Sequence, residues 1–235
     1  MKILSMLIAI LFFAPFPTKA QGLPSDSLQD EIVIDTVYVL TINDTMPNYS
    51  FHYMAYRGEW LKIVVSDVET GDTIQTIEDD FGVSSDQSEY VEPLWMMDLN
   101  YDGYGDLMLL TGMHQILGRS SYSYWLYNPK IGRFGRDERM SSQLNDEPEF
   151  DLTNRTVKTF SVDYPGTFNR EDDTYKFING SYVLIRRLKC SVQANPEREG
   201  NTQWIWSLEE LSSGKLKMVK KHIGPAMPAW AKELE

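Results

Sequence analysis

Residues 94–110, LWMMDLNYDGYGDLMLL, decide the fold class that the sequence predicts. Two short apolar runs, 94–97 and 107–110, flank an acidic loop that contains glycine. Runs of this length suit strands and are too short for helices. We therefore predict that residues 98–106 connect two β-strands.

Oxygen-bearing residues recur at alternate positions of this loop. The side chains of Asp98, Asn100 and Asp102 occupy positions 1, 3 and 5. A glycine at position 6 permits a sharp turn, after which we expect the carbonyl of Tyr104 and the carboxylate of Asp106 to complete a coordination sphere. Calcium takes about six to eight hard oxygen ligands, so the pattern predicts Ca2+ as the cofactor.

The loop departs from an EF-hand, because position 12 is Leu109 and the flanks are strand-like. The loop contains no His or Cys, which argues against zinc and copper, and three carboxylates suit calcium better than magnesium. The alternative is a solvated acidic turn without an ion. Nothing nearby resembles an activated nucleophile, so we expect a structural ion, no catalytic residues and no enzyme activity.

Further strand-like segments with turn signals between them continue on both sides of the loop. They are residues 32–40, 60–65, 72–77, 122–127, 157–162, 175–185, 204–211 and 216–219. Turn signals at 69–72, 179–180 and 213–214 separate several of them. We predict an all-β fold of antiparallel sheets, arranged as a sandwich or like a propeller, with the calcium loop between strands.

The N-terminus has the pattern of a secretory signal peptide. Lys2 precedes an apolar run over residues 3–13, and Ala20 is a small residue at the cleavage position. We expect residues 1–20 to be a signal peptide, 21–30 a flexible arm and 31–235 a single β-rich domain. The apolar run is short of the roughly 20 residues that span a bilayer, so we predict no transmembrane segment and a periplasmic or secreted protein.

The chain is acidic, with a formal net charge of −12. Cleavage after Ala20 removes Lys2 and Lys19 and no acid, so the mature charge is about −14. We therefore expect no binding to nucleic acid, and anionic membranes are poor partners, because their phosphates would be repelled. Cys190 is the only cysteine, which rules out an intramolecular disulfide, and we expect it to be buried.

Four residues are candidates for contact with a partner. Tyr122 and Tyr124 alternate along one predicted strand and share a face, for which packing in the core is the alternative. Tyr164 and Gly166 lie in a long polar loop of the kind that often carries recognition.

Other residues are weaker candidates for chemistry. The adjacent acids Asp79–Asp80 and Asp172–Asp173 fit glycosidase carboxylates, with solvated charges as the alternative. The three histidines, 52, 114 and 222, are far apart and lack ligand spacing.

The order of motifs over residues 98–188 resembles a family of bacterial periplasmic proteins with one calcium loop. The motifs are DxNxDGYxD at 98–106, YxYWLYNP at 122–129, PxFD at 148–151 and YKFxNGxY at 175–182. A branch of that family inhibits lysozyme-like toxins and protects the cell that makes a peptidoglycan-cleaving type IV secretion effector. The resemblance implies the same calcium ligands and a lysozyme-like partner. The loop alone also occurs in FG-GAP repeats.

Three hypotheses of function follow. The first is an exported, calcium-binding, non-catalytic protein that inhibits a lysozyme-like enzyme, as an immunity protein would; acidity suits it, since many lysozymes are cationic. The second is an extracellular or cell-surface module that binds glycans or proteins. The third is a hydrolase with an unrecognised site.

Overall fold

A computed structural model describes residues 32–56, 60–80, 92–114, 119–163, 169–194 and 202–234. The predicted signal peptide and arm lie outside these residues, as do Tyr164 and Gly166. The chain groups into two compact units, Met1–Val91 and Glu92–Glu235, and each is described by itself. The single β-rich domain predicted over 31–235 stays a prediction.

The first unit contains a four-stranded antiparallel sheet with its strands in chain order. They are β1 (Ile32–Thr41), β2 (Asn48–Tyr56), β3 (Trp60–Asp67) and β4 (Thr73–Asp80). Burial alternates along β2 and β3, where Phe51, Tyr53, Leu61 and Ile63 are fully buried. Period-two burial of this kind gives the sheet one apolar face.

The hairpin predicted at residues 69–72 joins β3 to β4. The Asp67 carboxylate accepts the amides of Glu69 (2.7 Å) and Thr70 (2.9 Å), which satisfies two donors of the turn. Gly71 has φ +76°, a conformation that glycine adopts without steric cost. The turn predicted at 69–72 therefore forms because the Asp67 carboxylate holds its amides and Gly71 adopts positive φ.

The second unit contains two further antiparallel sheets and two short helices. The elements are β5 (Leu94–Met97), β6 (Asp106–His114), β7 (Arg119–Asn128), β8 (Arg133–Arg136), α1 (Glu138–Gln143), β9 (Glu149–Asp151), β10 (Thr156–Asp163), β11 (Asn169–Ile178), β12 (Ser181–Ala194), β13 (Thr202–Ser212), β14 (Lys215–Gly224) and α2 (Ala229–Lys232). One sheet has the order β5-β6-β7-β8 and the other β14-β13-β12-β11-β10-β9. The prediction of an all-β fold of antiparallel sheets is confirmed.

The two sheets of this unit share one hydrophobic core. Met108 of β6 and Tyr124 of β7 pack in the same cluster as Val157 of β10, Tyr175 of β11 and Tyr182 of β12. The arrangement is a sandwich, in which the inner faces of two sheets bury each other's apolar side chains.

Two tight turns in this unit match the sequence prediction. Asn179–Gly180 connects β11 to β12 with φ of 50° and 82°, and Ser213–Gly214 connects β13 to β14 with φ of 54° and 77°. Two successive positive φ angles are the requirement of a two-residue hairpin, and Asn-Gly meets it best.

Strand β12 carries one extra residue. Thr174 pairs with Arg186 whereas Tyr175 pairs with Leu184, so Ile185 is a bulge. The bulge keeps Arg187 on the side of the sheet that Leu184 occupies, instead of the opposite side. Strand β12 therefore places core residues and charged residues on one face.

The helices are short, and α1 was not predicted. Asp137 caps it by accepting the amide of Met140 (2.8 Å), and Met140 is buried in the core. Helix α2 begins directly after Pro228, and its buried Ala231 packs in a second cluster with Cys190. Cys190 is buried, as expected. None of the helices in the described residues is long and apolar enough to cross a membrane.

Candidate metal centre and partner surface

The predicted calcium loop connects β5 to β6 as a hairpin. Met97 and Asp106 form the last strand pair before the loop. Tyr101 and Gly103 both have positive φ, 61° and 90°, which turns the chain back on itself twice. A Cβ at Gly103 would meet nothing within 4 Å, so backbone conformation, not space, is what requires glycine there.

The side chains at positions 1, 3 and 5 point to the loop's own backbone. The two oxygens of Asp98 accept the amides of Asp102 and Gly103, each at 3.0 Å. The amide oxygen of Asn100 accepts the Asp102 amide, and the Asp102 carboxylate accepts that of Tyr104, again at 3.0 Å. These bonds gather three oxygen-bearing side chains inside one turn.

Asp106 at position 9 is fully buried. One of its oxygens accepts the amides of Leu99 (3.0 Å) and Asn100 (3.3 Å), and the other accepts the amide of Tyr127 (2.8 Å). Burial raises the pKa of this carboxyl to about 7, and the three amide hydrogen bonds oppose that rise. Asp106 thus ties the loop to β7 as well as closing it.

A cation at this loop would need mixed ligands. No group of three His, Cys, Asp or Glu side chains in the described ranges is placed to hold a metal ion. A carboxylate has about four acceptor sites, so Asp98 and Asp102, with two hydrogen bonds each, keep free lone pairs. The residues fit calcium if the amide oxygen of Asn100 and the carbonyl of Tyr104 join those two carboxylates, because calcium accepts neutral oxygens.

The loop is also anchored to the opposite sheet. Leu99 is fully buried in the core of the sandwich, and its carbonyl accepts the hydroxyl of Tyr182 on β12 (3.1 Å). The ring centroid of Tyr101 lies 5.0 Å from that of Phe177 on β11. The guanidinium of Arg155 lies 4.7 Å from the same Tyr101 centroid. The loop therefore connects the two sheets of the unit, although it belongs to only one of them.

Residues that make this anchor were not predicted as site residues. Phe177 and Tyr182 belong to the motif YKFxNGxY at 175–182, which resembles a family motif and was not predicted to contact the loop. The motif's Asn179–Gly180 turn sets the register that pairs Phe177 with Tyr182 across β11 and β12. The sequence carried a signal for this cluster, but only the fold shows that the cluster meets the loop.

A shallow groove of about 380 Å³ lies beside the loop, lined by Asp102, Tyr127, Asn128, Ile131, Arg136 and Asp137 among others. Asp137 is already engaged as the cap of α1. The described lining residues include no Ser, Cys or His that would serve as a nucleophile or a base.

The candidate partner residues differ in exposure. Tyr122 is half-buried, and its ring packs edge-on against Trp95 at 5.4 Å. Tyr124 is fully buried, and its hydroxyl donates to the carbonyl of Leu144 (2.6 Å). This placement corrects the expectation of partner contact for Tyr124, which belongs to the core because the inner face of β7 meets the opposite sheet.

The adjacent acids do not converge on a shared point. Asp172 lies 3.0 Å from Arg170, whereas Asp173 is buried and holds Arg187 through two bonds of 2.7 and 2.6 Å. Neighbouring residues of a strand face opposite sides of the sheet. Asp79 and Asp80 are neighbours in β4, so their side chains also face opposite sides. His52 pairs with Asp35 at 2.6 Å.

Comparisons with known proteins show a distant likeness to a solved structure. No protein-family model matches the chain. No curated protein matches it. Among solved structures, the chain is similar to a Xanthomonas type IV secretion system related protein, with 18% identity over 80% of this chain and 99% of the other, and a TM-score of 0.47.

Proposed function

We propose that this protein is exported, stabilised by calcium and non-catalytic, and that it binds and inhibits a lysozyme-like peptidoglycan hydrolase. The observation that carries the proposal is the loop at 98–106, which holds the side chains of Asp98, Asn100 and Asp102 in one turn and connects the two sheets of the sandwich. An ion that rigidifies this loop would rigidify the whole second unit.

The calcium part of the proposal rests on charge as well as geometry. Asp98, Asp102 and Asp106 lie within nine residues of one another, and no ion pair with a described residue offsets the buried Asp106. Carboxylates held together repel unless a cation or a proton is present. Calcium would remove that repulsion without breaking the amide hydrogen bonds.

The inhibitor part rests on the order of motifs over residues 98–188 and on the negative charge. A protein with a formal net charge of −12 attracts a cationic enzyme over a distance, which speeds association and makes it sensitive to salt. Any blocking surface would lie outside the ion site, since the loop's polar groups are directed at its own backbone.

The experiment for the calcium part compares Asp98→Ala with Asp151→Ala. Asp151 is a matched control, because it is exposed, lies in the same unit and accepts the amide of Asn154 at 3.0 Å in an ordinary turn. Calcium at about 100 times its Kd would add about 2.7 kcal/mol, which corresponds to a rise in Tm of roughly 5–10 °C. We expect that rise in wild type and Asp151→Ala and not in Asp98→Ala. Equal Tm with calcium and with chelator in wild type would contradict the proposal.

The experiment for the inhibitor part measures the activity of several lysozyme types on peptidoglycan, with calcium and with chelator, at low and high salt. We expect inhibition that weakens with salt and that chelator reduces. No inhibition of any type at low salt would remove this role, and retention of the protein on peptidoglycan without inhibition would favour the binding module.

A further inference from the structure

Strand β14 is the outer strand of the six-stranded sheet. It pairs with β13, and no other described strand pairs with its far edge. Such an edge presents unpaired amides and carbonyls that can add another strand. Residues at this edge are largely exposed, including Lys215, Lys217, Lys220 and Lys221. Four lysines in ten residues are conspicuous in a chain with a net charge of −12.

The register sorts these residues onto two sides. Lys215, Lys217 and Lys220 lie opposite Ser212, Glu210 and Leu208 of β13. These partners are alternate residues, so the three lysines form a row on one side of the sheet. We call this row the lysine row.

The other side of the same strand is mostly apolar. Leu216, Met218 and Ile223 lie opposite Leu211, Glu209 and Ile205 of β13. Lys221, opposite Ser207, lies on this side as well, between Met218 and Ile223, and is its one charged residue. The side chains of Met218 and Ile223 are 56% and 49% exposed. The strand thus has a cationic side and an apolar side, both open to solvent.

The acids nearest to the lysine row are engaged elsewhere. Glu210, directly opposite Lys217, lies 3.6 Å from Arg186, and the neighbouring Glu209 lies 3.6 Å from Lys189. Lys220 lies 5.5 Å from the ring centroid of Trp230. No acid among the described residues forms an ion pair with Lys215 or Lys217.

We propose that β14 binds an extended acidic segment of another protein as an added strand. Alternate residues of a strand, such as Lys215 and Lys217, repeat at about 6.8 Å on one side, and the bulge at Val219 keeps Lys220 in the same row. A segment with Asp or Glu at every second position would match the lysine row. Apolar residues at the intervening positions would cover Leu216, Met218 and Ile223. The backbone of the edge supplies the hydrogen bonds, and the two sides supply the specificity.

A second copy of this chain does not fit the same edge. Antiparallel pairing of two β14 strands would bring two lysine rows together on one side of the joined sheet, and like charges placed opposite each other are destabilising. The partner is therefore a different chain, of acidic and apolar alternation. This inference is independent of the proposed inhibition of a cationic enzyme.

The test uses the intact mature protein and a labelled nine-residue peptide in which Asp alternates with Val and Thr. We expect saturable, salt-sensitive binding in fluorescence anisotropy, and no binding of the same peptide with Lys in place of Asp. The triple variant Lys215→Glu/Lys217→Glu/Lys220→Glu should bind the acidic peptide roughly tenfold more weakly, because each Lys–Asp pair becomes a Glu–Asp pair. The same variant should bind the basic peptide, because each Lys–Lys pair becomes a Glu–Lys pair. Lys130→Glu/Lys176→Glu, which changes exposed lysines away from β14, should bind as wild type does.

Hydrogen exchange separates strand addition from attraction of charge alone. Amides of residues 215–224 should exchange more slowly when the acidic peptide is bound, because an added strand protects them. Binding without that protection would overturn strand addition. The proposal would also be overturned if the triple variant keeps its peptide affinity and instead self-associates, because the lysines would then serve only to prevent aggregation.

Discussion

The substitution Tyr182→Phe tests whether the loop at 98–106 is held by the opposite sheet. Tyr182 is 2% exposed, and its hydroxyl donates to the Leu99 carbonyl at 3.1 Å and lies 3.4 Å from the Tyr101 hydroxyl. Phenylalanine keeps the ring and its packing against Phe177 and Phe150. The change therefore isolates one hydroxyl.

The loss of stability in Tyr182→Phe depends on the Leu99 carbonyl, which stays buried after its donor is removed. Loss of one hydrogen bond costs about 1 kcal/mol, and a buried carbonyl left without its donor raises the cost toward about 2 kcal/mol. The greater apolarity of phenylalanine offsets part of this cost. The Leu99 carbonyl is left without a donor, so the net change in the free energy of unfolding is a loss. A loss of about 1–2 kcal/mol lowers Tm by roughly 3–6 °C in a chain of this length.

The assay is thermal unfolding with calcium and with chelator, with Tyr124→Phe as the matched control. Tyr124 is also fully buried and also donates to a backbone carbonyl, but that carbonyl belongs to Leu144 and not to the loop. We expect both variants to lose stability and only Tyr182→Phe to show a smaller rise in Tm with calcium. A Tyr182→Phe protein that melts with wild type, or a Tyr124→Phe protein with the same loss of calcium response, would refute the reasoning.

Three other predictions concern residues away from the loop. Arg187→Met leaves the buried Asp173 carboxylate uncompensated, so the free energy of unfolding in urea should fall by about 2–3 kcal/mol; a loss below about 0.5 kcal/mol would show that the pair adds nothing. Burial raises the pKa of the Cys190 thiol from 9.0 to about 11. The stability that the neutral buried thiol contributes is therefore complete below pH 9 and is lost as the pH rises toward 11, because the unfolded thiol ionises first. At pH 8 the native thiol should react with a disulfide reagent far more slowly than the urea-unfolded thiol, and equal rates would contradict its burial. Gly180→Ala forces a Cβ onto φ +82° and should cost about 1 kcal/mol in urea unfolding, whereas Gly135→Ala, where φ is not in that region and nothing lies within 4 Å, should be near neutral.

Local signals in the sequence predicted local structure well. The turns at 69–72, 179–180 and 213–214 appear where expected, because positive φ at Gly71, Gly180 and Gly214 is a requirement of the turn itself. The two strands around the loop at 98–106 were predicted from their short apolar runs, 94–97 and 107–110. The helix α1 was not, because six residues are too few to show a 3.6-residue period.

Features that depend on packing between sheets could not be predicted. Tyr122 and Tyr124 were correctly placed on one face, but which face meets the opposite sheet is a property of the whole sandwich. The anchor between Leu99 and Tyr182 joins residues 83 positions apart. Calcium binding, the absence of catalysis and the lysozyme-like partner stay predictions.

The bulge at Ile185 has a consequence for how this sequence can change over time. Arg187 and Lys189 lie on one side of β12, whereas Leu188 and Cys190 lie on the other, in the cluster that α2 covers. Loss of one residue at the bulge would exchange these two sets, because every residue beyond it would change sides. Insertions and deletions in related chains should therefore be found in the hairpin turns and in pairs along β12, and a single-residue deletion there should prevent folding.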